Sequence, residues 1–289
     1  MNRTLAILLA LAAPVAANAG DGAPAMPETE RAIASLRPVA VTIAQERIGT
    51  SVDVGRVVTD GAGGGLIGAL VIAGMDNKRS VMTANAADRA DAAVAPLADV
   101  LMDFDVAGLA LETTRKAIAA PEWFAASEIE LVPGAAFNSV ADFVAANPAQ
   151  QVGLVSYRYQ MSPDFTQLQI IADLSVAHGD NLKRLYGQQI VSSVRLAKRS
   201  YEPSENVTRW SAENGRVAKA ALTAAFARLE TLIPAVMALT PAQFDAATDK
   251  KRESAFTGGF HGPVLMRDAA GPVIWSKGDG FIAVQAATD

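Results

Sequence analysis

Two histidines are the residues best suited to acid–base chemistry in this chain, because imidazole gains and loses a proton near neutral pH. His178 is followed by Gly179 and Asp180, so a base with a carboxylate partner could form after a strand. His261 lies within 258–263, where glycines leave a side chain accessible to ligand. No G-x-S-x-G motif supplies a nucleophile. A hydrolytic or small-molecule site at His178, Asp180 or His261 is therefore an alternative to plain turn and loop roles.

A glycine-rich segment over 61–75 predicts close packing against an apolar surface. Residues 63–68 match G-x-G-x-x-G, but Asp88, at the ribose-binding distance, falls inside a predicted helix, so the βαβ context of a dinucleotide site is missing. Glycines spaced by four would give a helix one face of small residues. We expect this face to touch a partner, a membrane or another copy, or alternatively to be buried on the sheet. The contact residues are Gly61, Gly64, Gly65, Leu66, Ile67, Gly68 and Leu70.

Tyr157 and Tyr159 share one side of a predicted strand, and Arg158 lies on the other side. Tyrosine is enriched at binding hot spots, so the two rings are a candidate recognition face. Ordinary packing of both rings within the sheet is the simpler interpretation, because aromatic residues are common in strands.

Composition excludes several functional classes. The chain has 289 residues, 51% hydrophobic and 19% charged, which excludes disorder of the whole chain. Its net charge is −5, so general nucleic-acid binding is disfavoured. It has no cysteine, which excludes disulfides and thiolate metal sites. Neither a metal site nor a cofactor is predicted.

The first 19 residues have the three parts of a secretory signal peptide. Arg3 is followed by an apolar stretch over 5–15 and by Ala17-Asn18-Ala19, a small-x-small cleavage site. The apolar stretch is shorter than the ~20 residues that a membrane span needs. We therefore expect cleavage after Ala19 and a periplasmic location in a bacterial envelope.

The remaining chain predicts an α+β fold, with a mixed or antiparallel sheet packed by long alanine-rich helices and a small C-terminal β meander. The clearest signal is a hairpin in which alternating strands over 152–161 and 167–177 flank a turn at 162–164. A long helix is expected from Ser204, with a bend near Pro234. The predicted divisions are 1–19 signal peptide, 20–38 flexible leader, 39–256 main domain and 257–289 β meander, the last standing alone or as part of the same domain.

These expectations favour a non-enzymatic periplasmic protein, an accessory or assembly factor of the cell envelope. The expected partner is an envelope protein or a membrane surface, with a homo-oligomer as a further alternative, and not a nucleic acid. The competing hypothesis is a periplasmic small-molecule-binding protein or hydrolase with its site near one of the histidines.

Overall fold

The architecture was determined from a computed structural model, which describes residues 23–45, 47–50, 92–133, 137–249 and 251–287. The described chain combines helices with one large mixed sheet, so the α+β class expected from the sequence is confirmed. The expected signal peptide and the glycine-rich contact segment lie outside the described residues.

The sheet has nine strands in the order β3-β1-β4-β5-β6-β10-β9-β8-β7, and a short tenth strand, β2, pairs with the end of β4. β1 is parallel to β3 and β4, and β10 is parallel to β6, whereas the other neighbours on this path are antiparallel. The strands are β1 Arg37–Ile43, β2 Gly49–Thr50, β3 Ala126–Leu131, β4 Gln151–Met161, β5 Gln167–His178, β6 Arg184–Arg195, β7 Ser254–Thr257, β8 Phe260–Asp268, β9 Gly271–Ser276 and β10 Gly280–Ala286.

Helices cover one face of this sheet. The long α5 packs on β5 and β6, α3 packs between α5 and β1, and α6 packs on β8. The core between these layers contains Trp210, Phe226 and Tyr157, all nearly inaccessible to solvent. The helices are α1 Glu28–Arg31, α2 over Ala92–Leu101, α3 Val106–Ile118, α4 Phe137–Ala146, α5 Pro203–Met237 and α6 Pro241–Thr248.

Helix α5 is interrupted at a place that differs from the expected bend. The backbone leaves the helical region at Ala212 and takes positive φ at Glu213, Asn214 and Gly215 (51°, 56° and 72°). Asn and Gly tolerate this conformation better than other residues, which explains why the break falls here. Pro234 lies inside the helix close to its end, where the N–H of Ala238 bonds to its carbonyl.

Helix α5 is also long and apolar enough to cross a membrane, judged by length and composition alone. Half of its most apolar window is buried within the protein. A core helix that lies on a sheet has the same composition, and the buried Leu222, Leu229 and Ile233 fit that role.

Residues 23–36 form a strap along the helix-covered core, although 20–38 was expected to be a flexible leader. Ala23 pairs with Tyr186 of β6, and the Met26 side chain is completely buried. The Arg31 guanidinium donates to the carbonyls of Met237 and Leu239 at the end of α5. Burial of Met26 and capping of α5 hold the strap, and neither contact was visible in its Pro- and Gly-rich composition.

We call the opposite side of the sheet the open face. At one end α4 covers it, where Phe143 and Val144 pack on Ala40 and Val152. At the other end the β7–β8 hairpin folds over it, and Gln167 Nε2 donates to the carbonyl of Gly258 at 3.3 Å. Apolar residues of five strands fill the space under the hairpin: Ile171, Val191, Val264, Ile274 and Ile282, with Ala255 at their margin.

Candidate functional site

A row of polar side chains crosses the open face between α4 and the β7–β8 hairpin. Thr42 is in register with Ser156, Ser156 with Asp173, and Asp173 with Gln189. Register partners on neighbouring strands point to the same face. The four residues therefore form one line across β1, β4, β5 and β6, about 14 Å long at the usual spacing of strands. We call this line, together with Arg158 on the same face of β4, the polar row.

Asp173 is the centre of the polar row because both of its carboxylate oxygens are bound. Arg158 Nη1 lies 2.9 Å from Asp173 Oδ2, and Gln189 Nε2 donates to Asp173 Oδ1 at 2.9 Å. Beyond Arg158, Gln160 Nε2 donates to Gln169 Oε1 at 3.1 Å. These contacts hold donors and acceptors of three adjacent strands in fixed positions.

The Arg158–Asp173 pair is neither buried nor fully solvated. The two side chains keep 31% and 24% of their exposure. One positive and one negative charge cancel, so the row as a whole is electroneutral, and its Arg158, Asp173 and Gln189 offer hydrogen bonds at intermediate exposure. A surface of this kind suits a partner with both donors and acceptors better than a highly charged polymer.

The edge strand β3 adds an acidic pair to this side of the sheet. Glu130 is in register with Ala40 of the open face, and Glu128 lies two residues before it on the same side. The protonated Glu130 carboxyl donates a hydrogen bond to the neighbouring Glu128 carboxylate, and this bond, together with like-charge repulsion, raises the pKa of Glu130. Like charges on an edge strand also oppose pairing with a further strand.

Tyr157 and Tyr159 lie on the helix-covered side of β4 and are 1% and 6% exposed. The Tyr157 hydroxyl is 2.8 Å from Thr114 Oγ1, and its ring packs against Phe226. Burial raises the pKa of Tyr157. A recognition face at these two rings does not agree with their burial, because the helices α3 and α5 occupy that side. The simpler interpretation, sheet packing, describes them.

His178 ends β5, and its described hydrogen bonds are made by its backbone with Lys183 and Leu182. Gly179 is required at the turn, because a Cβ there would lie 1.9 Å from the carbonyl oxygen of Ala149. Asp180 is exposed, and among the described residues no hydrogen bond or ion pair joins it to the His178 ring. The structure therefore does not join His178 and Asp180 into a base–carboxylate pair.

His261 lies on β8, far along the chain from His178, and points away from the apolar contacts under the hairpin. Its register partner is Phe256 of β7, and the two rings are 4.9 Å apart. The Phe256 side chain is 76% exposed. This pair is an outward-facing contact across a short hairpin, and no carboxylate of the described chain bonds to its imidazole.

Two shallow, open depressions are present in the described surface. One, of about 350 Å³, lies between α6 and the end of α5 and is lined by residues such as Gln243 and Arg252. The other, of about 560 Å³, is lined by Arg31, Trp123 and the end of α5. Neither depression includes a histidine or a residue of the polar row. Within the described residues, no group of three His, Asp or Glu side chains could hold a metal ion.

Sequence reasoning missed the polar row, although part of its signal was present. The alternation in β5 separates Leu168, Ile170 and Ala172 from a polar side that carries Asp173. It does not show that Gln189 of β6 and Thr42 of β1 lie beside that side, because the register of distant strands is set by tertiary packing.

No family model, no curated protein and no solved structure matches this chain. The interpretation of the site therefore depends on its geometry and on the chemistry of its side chains.

Proposed function

We propose that this chain is an exported protein of the bacterial cell envelope that works by binding a partner protein through the polar row. One observation carries the proposal: Arg158, Asp173 and Gln189 form a preorganised, electroneutral and half-exposed group on the open face. Preorganised polar groups at intermediate exposure lose less entropy when a partner binds than flexible surface groups do.

The shape of this region favours a protein over a small molecule. Small-molecule sites are concave and bury most of the ligand. The accessible part of the polar row instead extends for about 10 Å across β4, β5 and β6, because Thr42 at the β1 end is only 6% exposed. Such a strip resembles the polar, solvent-accessible rim of a protein interface.

The proposed location rests on residues 1–19. Their single arginine, apolar stretch and Ala17-Asn18-Ala19 are typical of a cleaved signal peptide. The partner is then a protein of the envelope, and the role that fits a binding surface of this kind is that of an accessory or assembly factor. Self-association of the chain is the first alternative partner.

Site-specific photocrosslinking in intact cells tests the proposal. A benzophenone amino acid at Ser175, half-exposed beside the row, is expected to give one discrete adduct with another protein. The same probe at Glu213, exposed on the helix side, is the matched control and is expected to give none.

A charge swap then separates recognition from folding. The double variant Arg158→Asp with Asp173→Arg keeps an ion pair but reverses its polarity. We expect the Ser175 adduct to fall at least tenfold while the urea midpoint stays close to that of the wild type. An adduct that survives the swap, or that also forms from position 213, contradicts a partner site at the polar row.

A further inference from the structure

A second surface lies at the loop between β6 and α5, at the end of the sheet that also carries the β4–β5 turn. Residues 195–201 contain three cations, Arg195, Lys198 and Arg199, and no acidic residue, in a chain whose net charge is −5. All three cations are exposed, and none forms an ion pair with a described residue. The local charge is thus opposite to that of the molecule.

The same loop carries the most exposed large apolar side chain of the described chain. Tyr201 has a relative exposure of 108%, compared with 76% for Phe256 and 65% for Met102. A side chain this exposed makes little packing contact with its own protein. Tyrosine with its amphipathic ring is typical of the boundary between lipid headgroups and water.

The backbone of the loop is held firmly although its side chains point outward. The completely buried Asn206 donates to the carbonyl of Ser200 at 2.9 Å and accepts from the N–H of Ser200 at 2.8 Å. Arg209 Nη1 donates to the carbonyl of Lys198 at 2.7 Å. Leu196 is buried, and its N–H bonds to the carbonyl of Thr166. The cations and Tyr201 are therefore presented from a fixed loop and do not belong to a free tail.

Acidic residues close to the loop reduce its charge without cancelling it. Glu202 and Glu205 follow Tyr201, and Glu205 lies 3.8 Å from Arg209. The stretch 195–209 keeps an excess of two positive charges. The attraction to an anionic surface is accordingly modest, and it depends on the orientation of the molecule.

We infer that the loop 195–201 docks on an anionic lipid surface, with Tyr201 at the headgroup boundary and Lys198 and Arg199 against lipid phosphates. A projecting loop fits a flat surface, whereas an acidic peptide would need a groove, and neither depression described above is lined by loop residues. The inference rests on the proposed export, which brings the chain next to envelope membranes. It concerns a surface separate from the polar row.

Vesicle co-sedimentation of the purified protein tests this inference. Vesicles of phosphatidylglycerol and phosphatidylethanolamine are compared with vesicles of phosphatidylcholine alone. Binding is expected to the anionic vesicles at about 0.05 M salt and to weaken strongly at about 0.5 M, where charges are screened over a few ångströms. The double variant Lys198→Gln with Arg199→Gln is expected to bind about 30-fold more weakly. Each cation near an anionic membrane raises the affinity about fivefold, and the variant removes two.

Two further variants make the result specific. Lys183→Gln with Lys251→Gln removes the same charge from exposed positions elsewhere and is expected to bind like the wild type. Tyr201→Ala is expected to lower binding at both salt concentrations, because its contribution is not a charge effect. Equal losses in both double variants, or no binding to anionic vesicles at all, overturn the inference.

Soluble polyglutamate identifies the competing partner class. If it displaces the protein from vesicles at equal charge concentration and binds it without lipid, the loop belongs to an acidic protein and the lipid assignment is wrong. Failure of vesicle binding leaves the Ser175 adduct unaffected, and loss of that adduct leaves vesicle binding unaffected. The two proposals therefore fail separately.

Discussion

Arg158 and Asp173 form an ion pair diagonally across β4 and β5, with Arg158 Nη1 2.9 Å from Asp173 Oδ2. The register partner of Arg158 is Ile171, and that of Asp173 is Ser156. The Arg158 guanidinium thus reaches along the strands to the next residue pair on the same face. This leaves space for Gln189 to bond to the other carboxylate oxygen of Asp173. The diagonal geometry connects three strands through one carboxylate.

This pair is expected to add little to the stability of the fold. Both side chains retain about a quarter to a third of their exposure, and ion pairs in such positions contribute about 0.5–1 kcal/mol. Urea unfolding of Arg158→Ala, Asp173→Ala and the double variant should give a coupling free energy in this range. A coupling above about 2 kcal/mol would mean that the pair serves the fold and not recognition.

A different result is expected for Arg37, which is 1% exposed at the start of β1. A guanidinium has five N–H donors, and here they meet five acceptors. Removing this side chain takes a donor from all five acceptors, of which the Glu30 and Ile33 carbonyls keep a second one, so Arg37→Ala should destabilise the protein by about 3 kcal/mol or more. The acceptors are Gln151 Oε1 and the carbonyls of Glu30, Ile33, Ser35 and Trp123.

The Arg37→Lys variant tests whether geometry or charge matters here. Lysine keeps the charge but has three donors on a single atom, so it should recover a small part of the lost stability. Arg216→Ala, at an exposed cation on α5, is the control and should change the free energy of unfolding by less than about 0.5 kcal/mol. A lysine variant as stable as the wild type would contradict the five-acceptor explanation.

The strap is tested by two methionines of different burial. Met26 is 0% exposed and Met102 is 65% exposed. Met26→Ala should lower the free energy of unfolding by about 2–5 kcal/mol, because it leaves a cavity, and Met102→Ala should leave it nearly unchanged. If the two variants have equally small effects on chemical denaturation, residues 23–36 are not packed on the core, and the flexible leader expected from their composition is the better description.

The sequence predicted the local part of this fold better than its long-range part. The hairpin of β4 and β5 follows from alternation and from the Ser162-Pro163-Asp164 turn, both read over neighbouring residues. The insertion of β10 beside β6, in parallel register from Phe281↔Ile190 onward, depends on packing between segments about 90 residues apart. Periodicity within one segment has no information about such a pairing.

The break in α5 has a local signal in the sequence. Glu213-Asn214-Gly215 contains the Asn-Gly pair that is typical of turns, whereas Pro234, a helix breaker, predicts a bend about 20 residues later. Pro234 lies close to the end of the helix, and its missing N–H removes one helical bond, the one to the carbonyl of Glu230 in the preceding turn. Predicting the polar row needs both the pattern within one strand and the pairing between distant strands. The polar side of β5 can be recognised from the alternation of its own residues, whereas its neighbours on β1 and β6 cannot.

Alkaline titration tests the burial of three tyrosines. Burial raises the pKa of Tyr157, Tyr159 and Tyr186. A raised pKa means that the folded state holds these protons more tightly, so this stabilisation is complete below the unfolded pKa of about 10. It is lost as the pH rises through the folded values. Absorbance at 295 nm should show three of the four tyrosines ionising later in native than in unfolded protein, and Tyr157→Phe should remove one of the three.

The β4–β5 turn gives the opposite pH dependence at acid pH. Asp164 accepts from the Ser162 hydroxyl at 2.6 Å and the Thr166 hydroxyl at 2.8 Å. Burial alone would raise the pKa of Asp164, but these hydrogen bonds and the Thr166 N–H outweigh it and lower the pKa. The carboxylate therefore stabilises the fold above its unfolded pKa, and this stabilisation is lost as the pH falls through the lower folded value.

The variant Asp164→Asn should thus be less stable than the wild type at pH 7, and the difference should shrink as the pH approaches 2. We expect about 1 kcal/mol at neutral pH, because the side chain is exposed and solvent screens its charge. Asp180→Asn, at an exposed turn aspartate without a described side-chain partner, is the control and should show no such trend.

The turn also docks on α5, since Asn206 Nδ2 donates to the Asp164 carbonyl at 3.2 Å and Trp210 Nε1 to the Phe165 carbonyl at 2.9 Å. Because Asn206 also holds the loop 195–201, the loosened turn of Asp164→Asn should weaken vesicle binding at pH 7 before the sheet unfolds. If vesicle binding and the urea midpoint instead change together, the turn and the loop are not separate from the global fold.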